Sequence, residues 1–192
     1  MQVSWHPALL QVFQPELYKL YDHTLTDLCE RDLTLRRNFH NNVFACTTFN
    51  VGPHTATRKH IDFLNLAYGM CAITPLGNYD HTRGGHIVLW ELRMVVEFPV
   101  CSTALIPSGV VSHSNIGISP GETRHSFTQY SAGRLFRWRE AGHQTLKNLR
   151  KGGGELAGTG HQRWTEGVGK LSKWADIRRW LEAHASSSEE AS

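Results

Sequence analysis

The stretch HIVLWELRMVVEFPVCSTALIPSGVVSHSN, residues 86–115, decides the fold class of this chain. Short runs of Val, Ile and Leu alternate in it with turn residues such as Pro107-Ser108-Gly109. Similar runs lie on either side, and the sequence predicts seven strands, at 43–50, 69–74, 86–90, 94–98, 103–106, 110–116 and 124–130, with Pro75-Leu76-Gly77 as a break. Many short, evenly spaced strands are typical of a β-sandwich or barrel, of which the jelly roll is the eight-stranded form.

Helical patterns flank this β-rich region. Pro15 suits the first turn of a helix over 15–30, whose apolar residues recur at helical spacing, and Ser172 could cap a last helix over 173–185. A length of 192 residues predicts one domain, and the strands with their flanking helices predict that this domain is α+β and mostly β. Its predicted parts are an N-terminal helical support (1–42), the β core (43–138), C-terminal helices with a Gly-rich loop at 152–160 (139–185), and a disordered tail (186–192).

Composition excludes several classes of protein. A chain that is 40% apolar and 10% aromatic is not wholly disordered. It contains no run of about 20 apolar residues that could span a membrane, and its first residues lack the pattern of a secretory signal. The net charge of +3 permits nucleic-acid binding without indicating it.

The four cysteines do not form a zinc-binding pattern. No C-x-x-C pair occurs among them, which argues against a closed structural zinc site. Cys46, Cys71 and Cys101 lie in apolar, strand-like runs, where cysteine usually behaves as a small buried hydrophobe. Unpaired cysteines of this kind predict a reducing, intracellular compartment.

Twelve histidines direct attention to metal ligands. In His60-Ile61-Asp62 the first and third residues of an extended segment project to the same side, so both can reach one metal ion. His113, at the end of a predicted strand, can supply a third ligand. Two histidines and one carboxylate on one face of an octahedron form the facial triad of non-haem Fe(II) oxygenases.

A candidate receptor for a carboxylate follows eleven residues after His113, in Arg124-His125-Ser126. On a strand, Arg124 and Ser126 share one face and His125 lies on the other. A guanidinium binds a carboxylate through two parallel hydrogen bonds, and a hydroxyl beside it can add a third. The spacing therefore predicts a site for an acidic small molecule near the metal.

The combination of H-x-D, a distal histidine and R-x-S resembles the Fe(II)/2-oxoglutarate-dependent oxygenases. The resemblance implies a double-stranded β-helix, that is, a jelly-roll core. It implies that His60, Asp62 and His113 are the catalytic residues and hold Fe(II). It also implies that Arg124 and Ser126 hold the far carboxylate of 2-oxoglutarate, which is consumed together with O₂.

The run from His60 to Gly69 resembles more narrowly the TET/JBP oxygenases of nucleic-acid bases, whose motif reads H-x-D-x-x-N-x-x-x-G before a strand ending T-x-L. That resemblance implies that Asn65 contacts a base flipped out of methylated DNA and that Tyr130 stacks on it. It places His86, in GGHIVLW, near the iron-chelating end of 2-oxoglutarate. Asn50 is a further residue that would enter the co-substrate site.

The segments GGHIVLW, LIPSGVVSHSN and RHSFTQYSAGRLFRW resemble those of the branch of this family found in mushroom-forming fungi. The implied activity is oxidation of 5-methylcytosine to 5-hydroxymethylcytosine, with deeper oxidation left open, in the nucleus. The chain departs from the animal enzymes in two ways. It has no cysteine-rich zinc region, and Ala132 stands where they carry a base-contacting histidine.

Two other classes of function remain open on the sequence. An Fe(II)/2-oxoglutarate hydroxylase of N6-methyladenine, a protein side chain or a small molecule would keep the triad and R-x-S without needing Tyr130 and Asn65. A cupin-like binding barrel would need neither a complete triad nor the arginine. Analysis of the nucleosides from methylated DNA treated with the protein separates the DNA-base oxygenase from the hydroxylases of other substrates.

Overall fold

The computed structural model describes residues 5–189 of the chain and the side chains of residues 6–183. In chain order, its elements are α1 (Trp5–Phe13), α2 (Pro15–Arg31), β1 (Cys46–Asn50), β2 (Cys71–Asn78), β3 (Ile87–Leu89), β4 (Met94–Val96), β5 (Ala104–Ile106), β6 (His113–Asn115), β7 (Thr123–Tyr130), α3 (Gly133–Glu140), α4 (Leu146–Lys151), α5 (Gly160–Val168) and α6 (Trp174–Glu189). All seven predicted strands are present, with shifted ends. The helices contain more residues than the strands, so the prediction of a mostly β chain is wrong, because four strands are only three residues long.

The strands form two antiparallel sheets. The larger has the order β1-β7-β2-β5 and the smaller has the order β4-β3-β6. β7 lies at the centre of the larger sheet, where Ser126 pairs with Asn50 on one side and with Pro75 on the other. An α+β fold with antiparallel sheets is confirmed, and β7 carries its residues into the middle of that fold.

β2 continues through Pro75-Leu76-Gly77, which the sequence predicted as a break. Proline is tolerated there because it has no N–H to donate and needs no partner on one side. β5 pairs only with residues 71–73, so at Pro75 the side of β2 away from β7 has no partner strand. Gly77 has φ +117°, and a Cβ there would lie 2.3 Å from the Thr123 carbonyl oxygen. Glycine thus allows β2 and β7 to stay paired where a larger residue would separate them.

Two clusters of buried apolar side chains hold the sheets and helices together. Tyr21 of α2 packs edge-on against Phe44 and contacts Phe136 of α3, in a cluster that also contains Leu10, Leu17, Val43, Leu66 and Ala72. A second cluster of Cys71, Ile87, Phe98 and Ile106 joins the two sheets. α2 is the predicted helix, and α1, which the sequence did not predict, covers the back of the larger sheet through His6.

His6 lies fully buried between α1 and the larger sheet. Its ring contacts Phe127, and its Nδ1 donates to Gln129 Oε1 at 2.8 Å, since an amide oxygen can only accept. Its Nε2 accepts from the Thr74 hydroxyl. Burial lowers the pKa of His6 from 6.5 to about 4. Burial therefore favours the neutral ring over the charged imidazolium where His6 packs on β2 and β7.

Acidification is expected to destabilise the fold through His6. Between pH 6.5 and 4 the unfolded chain binds a proton that the folded one does not, so stability is complete above pH 6.5 and falls as the pH drops towards 4. The loss should reach about 2–3 kcal/mol by pH 4. Urea unfolding at pH 7 and pH 4 measures this loss of unfolding free energy. It should be absent in His6→Gln and retained in His40→Gln, a change at an exposed histidine. Equal pH dependence in both variants would contradict the assignment.

Two further differences from the sequence predictions concern a turn and a helix end. Cys101 is exposed in a turn with φ +65°, so it is not the buried hydrophobe that its apolar neighbours indicated; the four cysteines are free. α6 runs to Glu189 because no glycine or proline interrupts it, and it includes residues 186–189 of the predicted disordered tail; residues 190–192 lie outside the described residues. Within the described range, no helix has the length and apolar character to cross a membrane.

Candidate active site

His60 and His113 are held side by side by their own backbones. Each backbone N–H donates to the carbonyl of the other residue, at 3.1 and 2.9 Å, in an isolated antiparallel bridge. His113 is the first residue of β6, and the bridge attaches the otherwise irregular segment around His60 to that strand. The two imidazole rings consequently lie with their centroids 4.2 Å apart.

The two rings are oriented by backbone carbonyls. His60 Nδ1 donates to the Arg58 carbonyl at 2.8 Å, and His113 Nδ1 donates to the Val111 carbonyl at 3.1 Å. A ring whose Nδ1 carries the proton keeps a lone pair on Nε2. Such hydrogen bonds are the usual means by which proteins fix the tautomer and direction of a metal-binding histidine.

Asp62 completes the cluster. Its Oδ1 lies 3.6 Å from His60 Nε2 and its Oδ2 lies 4.0 Å from His113 Nε2. Among the residues described, these three side chains form a group whose potential ligand atoms all lie within 4.8 Å of one another. The structure therefore brings together the three side chains that the H-x-D spacing and the distal histidine predicted.

The surroundings of the cluster favour metal binding. Burial, and to a smaller extent the neighbouring His60, lowers the pKa of His113, which keeps its ring in the neutral form that binds metals. Glu91 accepts hydrogen bonds from the backbone N–H of Ser112 at 2.7 Å and from its hydroxyl at 2.6 Å. The Ser112 hydroxyl bond is the main cause of a lowered Glu91 pKa. Glu91 thus anchors the residue next to His113, a role that no local sequence signal indicated.

The cluster lies in the wall of a cavity of about 410 Å³. Ser126, Thr128 and Tyr130 line the same cavity from β7, while Phe127 and Gln129 contact His6 on the opposite side of the sheet. The alternation along β7 that the sequence predicted is therefore present. The remaining lining residues come from β1, β2, β3, β6 and residues 57–65: Thr48, Asn50, Thr57, Ile61, Phe63, Leu64, Asn65, Ile73, Ile87 and Asn115.

Arg124 is on the same face of β7, two residues before Ser126, but it does not itself line the cavity. It is 1% exposed, and its pKa is lowered by burial. Nη1 donates to the Thr55 carbonyl at 2.7 Å, whereas Nε and Nη2 are buried with no hydrogen-bond partner. Buried guanidinium donors without partners are costly, by about 1–3 kcal/mol each. The Tyr79 ring, whose centroid lies 6.0 Å from Arg124 Cζ, supports the charge, and the two donors are available to a ligand with a negative charge.

The other predicted site residues occupy different environments. Asn50 donates from its side-chain amide to Ser126 Oγ at 2.9 Å, so these two predicted co-substrate residues are in contact. Tyr130 Oη lies 3.5 Å from Thr48 Oγ1, with the ring facing the cavity. His86 precedes β3 and is not among the lining residues, which include its neighbour Ile87 instead. Its buried Nδ1 has no partner.

Asn65 lies beside the cluster of His60, Asp62 and His113 and already has polar partners. Its side-chain NH₂ lies 3.3 Å from Asp62 Oδ2 and donates to Ser108 Oγ at 3.0 Å. Its backbone N–H donates to the Asp62 carbonyl at 2.8 Å, which closes a turn. Asn65 therefore orients the carboxylate of Asp62, and contact with a base stays a prediction. Ser108, in the turn before His113, was missed because the contact spans 43 residues.

No protein-family model and no curated protein matches this chain. Among solved structures, NgTET1 in complex with 5mC DNA is similar over 58% of this chain and 47% of that one, with 15% identity and a TM-score of 0.43. The viral collagen prolyl hydroxylase vCPH from Paramecium Bursaria Chlorella virus-1, in a 2OG complex, is similar over 58% of this chain and 90% of that one, with 10% identity and a TM-score of 0.33. The chain spans about half the length of NgTET1.

Proposed function

We propose that this protein is an Fe(II)- and 2-oxoglutarate-dependent dioxygenase with a jelly-roll core that oxidises a methylated base in DNA, with 5-methylcytosine as the first candidate. One observation carries the proposal. The convergent side chains of His60, Asp62 and His113 share a cavity with β7, and on the same face of β7 lies a buried arginine, two of whose guanidinium nitrogens have no hydrogen-bond partner. A nuclear location would follow from a DNA substrate.

The donor set fits Fe(II). Two neutral imidazole nitrogens and one carboxylate oxygen are the ligands of the facial triad, which leaves three octahedral positions for other ligands. The Nε2 atoms are held towards Asp62 by the carbonyls of Arg58 and Val111 before any metal arrives. When bound, the metal would supply the activation of O₂, which no side chain of the protein can provide.

Arg124, Ser126 and Asn50 fit a dicarboxylate co-substrate. The far carboxylate of 2-oxoglutarate would take the donors of Nε and Nη2, which are buried and without partners. Ser126 Oγ, already an acceptor from Asn50 Nδ2, retains its own proton to donate to the same carboxylate. The low polarity around Arg124, 1% exposed, strengthens these charge-assisted bonds.

The volume and lining of the cavity support a base as substrate. At about 410 Å³ it lies in the usual range for small-molecule sites. The ring of Tyr130 faces it from the same strand face as Arg124 and offers a surface on which a flipped base can stack. A methyl group inside a duplex is out of reach of the cluster, so the nucleotide has to be extruded first, at a cost of a few kcal/mol.

A hydroxylase of another substrate is the second candidate, and the state of Asn65 favours it. The side-chain amide predicted to contact a base is used to hold Asp62 and Ser108, and Ala132 offers no polar group. N6-methyladenine, a protein side chain or a small molecule would each keep the triad and Arg124.

Mass spectrometry of nucleosides separates the candidates. The full chain, Fe(II) and 2-oxoglutarate are incubated with matched duplexes that carry 5-methylcytosine or N6-methyladenine. The proposal expects an oxidised base together with stoichiometric succinate. If neither base is oxidised while a peptide or a free metabolite is, the nucleic-acid assignment is wrong.

Tyr130→Ala is expected to weaken turnover of methylated DNA by about 5- to 150-fold, because base stacking on an aromatic ring is worth about 1–3 kcal/mol. Decarboxylation of 2-oxoglutarate without DNA should persist, since that half-reaction depends on the triad and Arg124. Tyr130→Phe, which keeps the ring and loses only the long contact to Thr48, is the matched control and should retain turnover. Equal losses in both half-reactions would indicate a structural role for Tyr130.

A further inference from the structure

A second and larger cavity, of about 720 Å³, adjoins the candidate active site. It runs between residues 63–68, α3, α4, residues 155–158 and α5, all but the first on the C-terminal side of β7. Its charged lining consists of four arginines and two glutamates: Arg134, Arg137, Arg150, Arg163, Glu140 and Glu155. We call this cavity the arginine groove. Its positive charge is concentrated in a protein whose net charge is only +3.

None of the four arginines has an ion pair among the described residues, and the side chains of three of them also make no hydrogen bond there. Arg134 and Arg137 lie one turn apart on α3, where like charges repel, and Arg150 belongs to α4. Arg163 differs, because its Nη1 donates to the carbonyls of Ala157 and Gly158 and so fastens the Gly-rich loop against α5. The groove thus has a fixed wall and three exposed guanidinium groups available to a ligand.

The groove and the cavity beside His60, Asp62 and His113 share three lining residues. Phe63, Leu64 and Asn65 line both, directly after Asp62. Phe63 is 81% exposed, so its ring is available to a ligand. A second exposed ring, that of Trp164 at 41%, lines the groove from α5.

We propose that the arginine groove binds the phosphate backbone of the nucleic-acid strand whose base enters the metal cavity, with Phe63 and Trp164 contacting bases. The inference rests on the proposed function for its choice of ligand and adds the place where that ligand is held. Guanidinium forks suit phosphate oxygens, and exposed aromatic rings beside them suit stacked bases. An acidic peptide would use the arginines but has no need of the two rings.

The test is binding of a fluorescein-labelled duplex carrying 5-methylcytosine, measured by anisotropy at 50 and 200 mM salt. Each phosphate contact contributes about 0.7–0.9 to the slope of log affinity against log salt. The triple variant Arg134→Gln, Arg137→Gln, Arg150→Gln should therefore lose a slope of about 2–3, so that its affinity falls about 20- to 40-fold less than that of the wild type between the two salt concentrations. Unchanged thermal melting shows that the variant is folded.

Lys147→Gln is the matched control, since Lys147 is an exposed cation of α4 outside the groove, and it should reduce the slope by less than any one of the arginine changes. If the triple variant binds the duplex with the affinity and salt dependence of the wild type, the proposed role of the groove is wrong, even if the wild type oxidises the base. If no base is oxidised but the variant loses DNA affinity and slope, the groove stands and the proposed function fails. Tighter binding of a polyglutamate peptide than of the duplex would also overturn the assignment.

Discussion

Asp62→Ala is expected to abolish Fe(II)-dependent turnover of 2-oxoglutarate. The change removes the only carboxylate of the cluster and leaves two histidines, held by their carbonyl partners, to bind the metal. Groups that merely orient metal ligands are worth about 10- to 100-fold in affinity, so loss of a ligand should exceed the upper figure. The measurements are Fe(II) affinity under anaerobic conditions and succinate formation.

The fold should survive this change, because Asp62 is a third exposed and its backbone N–H donates to the Ser108 carbonyl, a bond that alanine keeps. Circular dichroism and the melting temperature check this point. Asp176→Ala, at an exposed carboxylate of α6, controls for the loss of one negative charge. Full turnover in Asp62→Ala would refute the metal site.

Arg124→Met is expected to lower the affinity for 2-oxoglutarate by about 10- to 100-fold, since charge-assisted hydrogen bonds are worth about 1.5–3 kcal/mol. Iron affinity should change little, because Arg124 is not part of the cluster. The same change should alter the stability of the ligand-free protein little, because the lost Nη1 bond to the Thr55 carbonyl is offset by removal of the donors without partners. Methionine fills a similar volume and removes two buried donors that have no partner.

Thermal melting with and without 2-oxoglutarate measures both effects. The wild type should be stabilised as the co-substrate concentration rises, and Arg124→Met should respond only at much higher concentrations. Arg83→Met, at an exposed arginine, should respond like the wild type. A large loss of stability in ligand-free Arg124→Met, with an unchanged response to 2-oxoglutarate, would mean that the arginine is structural.

Local sequence patterns were sufficient to predict which side chains lie on the same side of one strand or extended segment. The alternation of β7 correctly assigned Ser126 and Tyr130 to one face, and the two-residue spacing of His60 and Asp62 correctly placed both in one cluster. Each of these predictions depends only on neighbours along one strand or extended segment.

Contacts between distant segments could not be predicted in this way. Glu91 reaches Ser112 across 21 residues, and His6 reaches Gln129 across 123. The partners of Asn65 are decided by the turn that carries Ser108, 43 residues away, and the contact of Asn65 with a base stays a prediction. The register of β3 with β6 brings Ile87 to the cavity, and the proximity of His86 to the co-substrate stays a prediction.

The central position of β7 has a consequence for how the chain folds. β1 and β2 meet only through β7, which begins at Thr123, long after both have been synthesised. Until then each exposes unpaired backbone groups to other chains, and pairing across such sequence separations is slow. Fragments that end before Thr123 should therefore aggregate during synthesis, whereas release of the chain past Tyr130 allows the larger sheet, and the cavity beside it, to assemble in one late step.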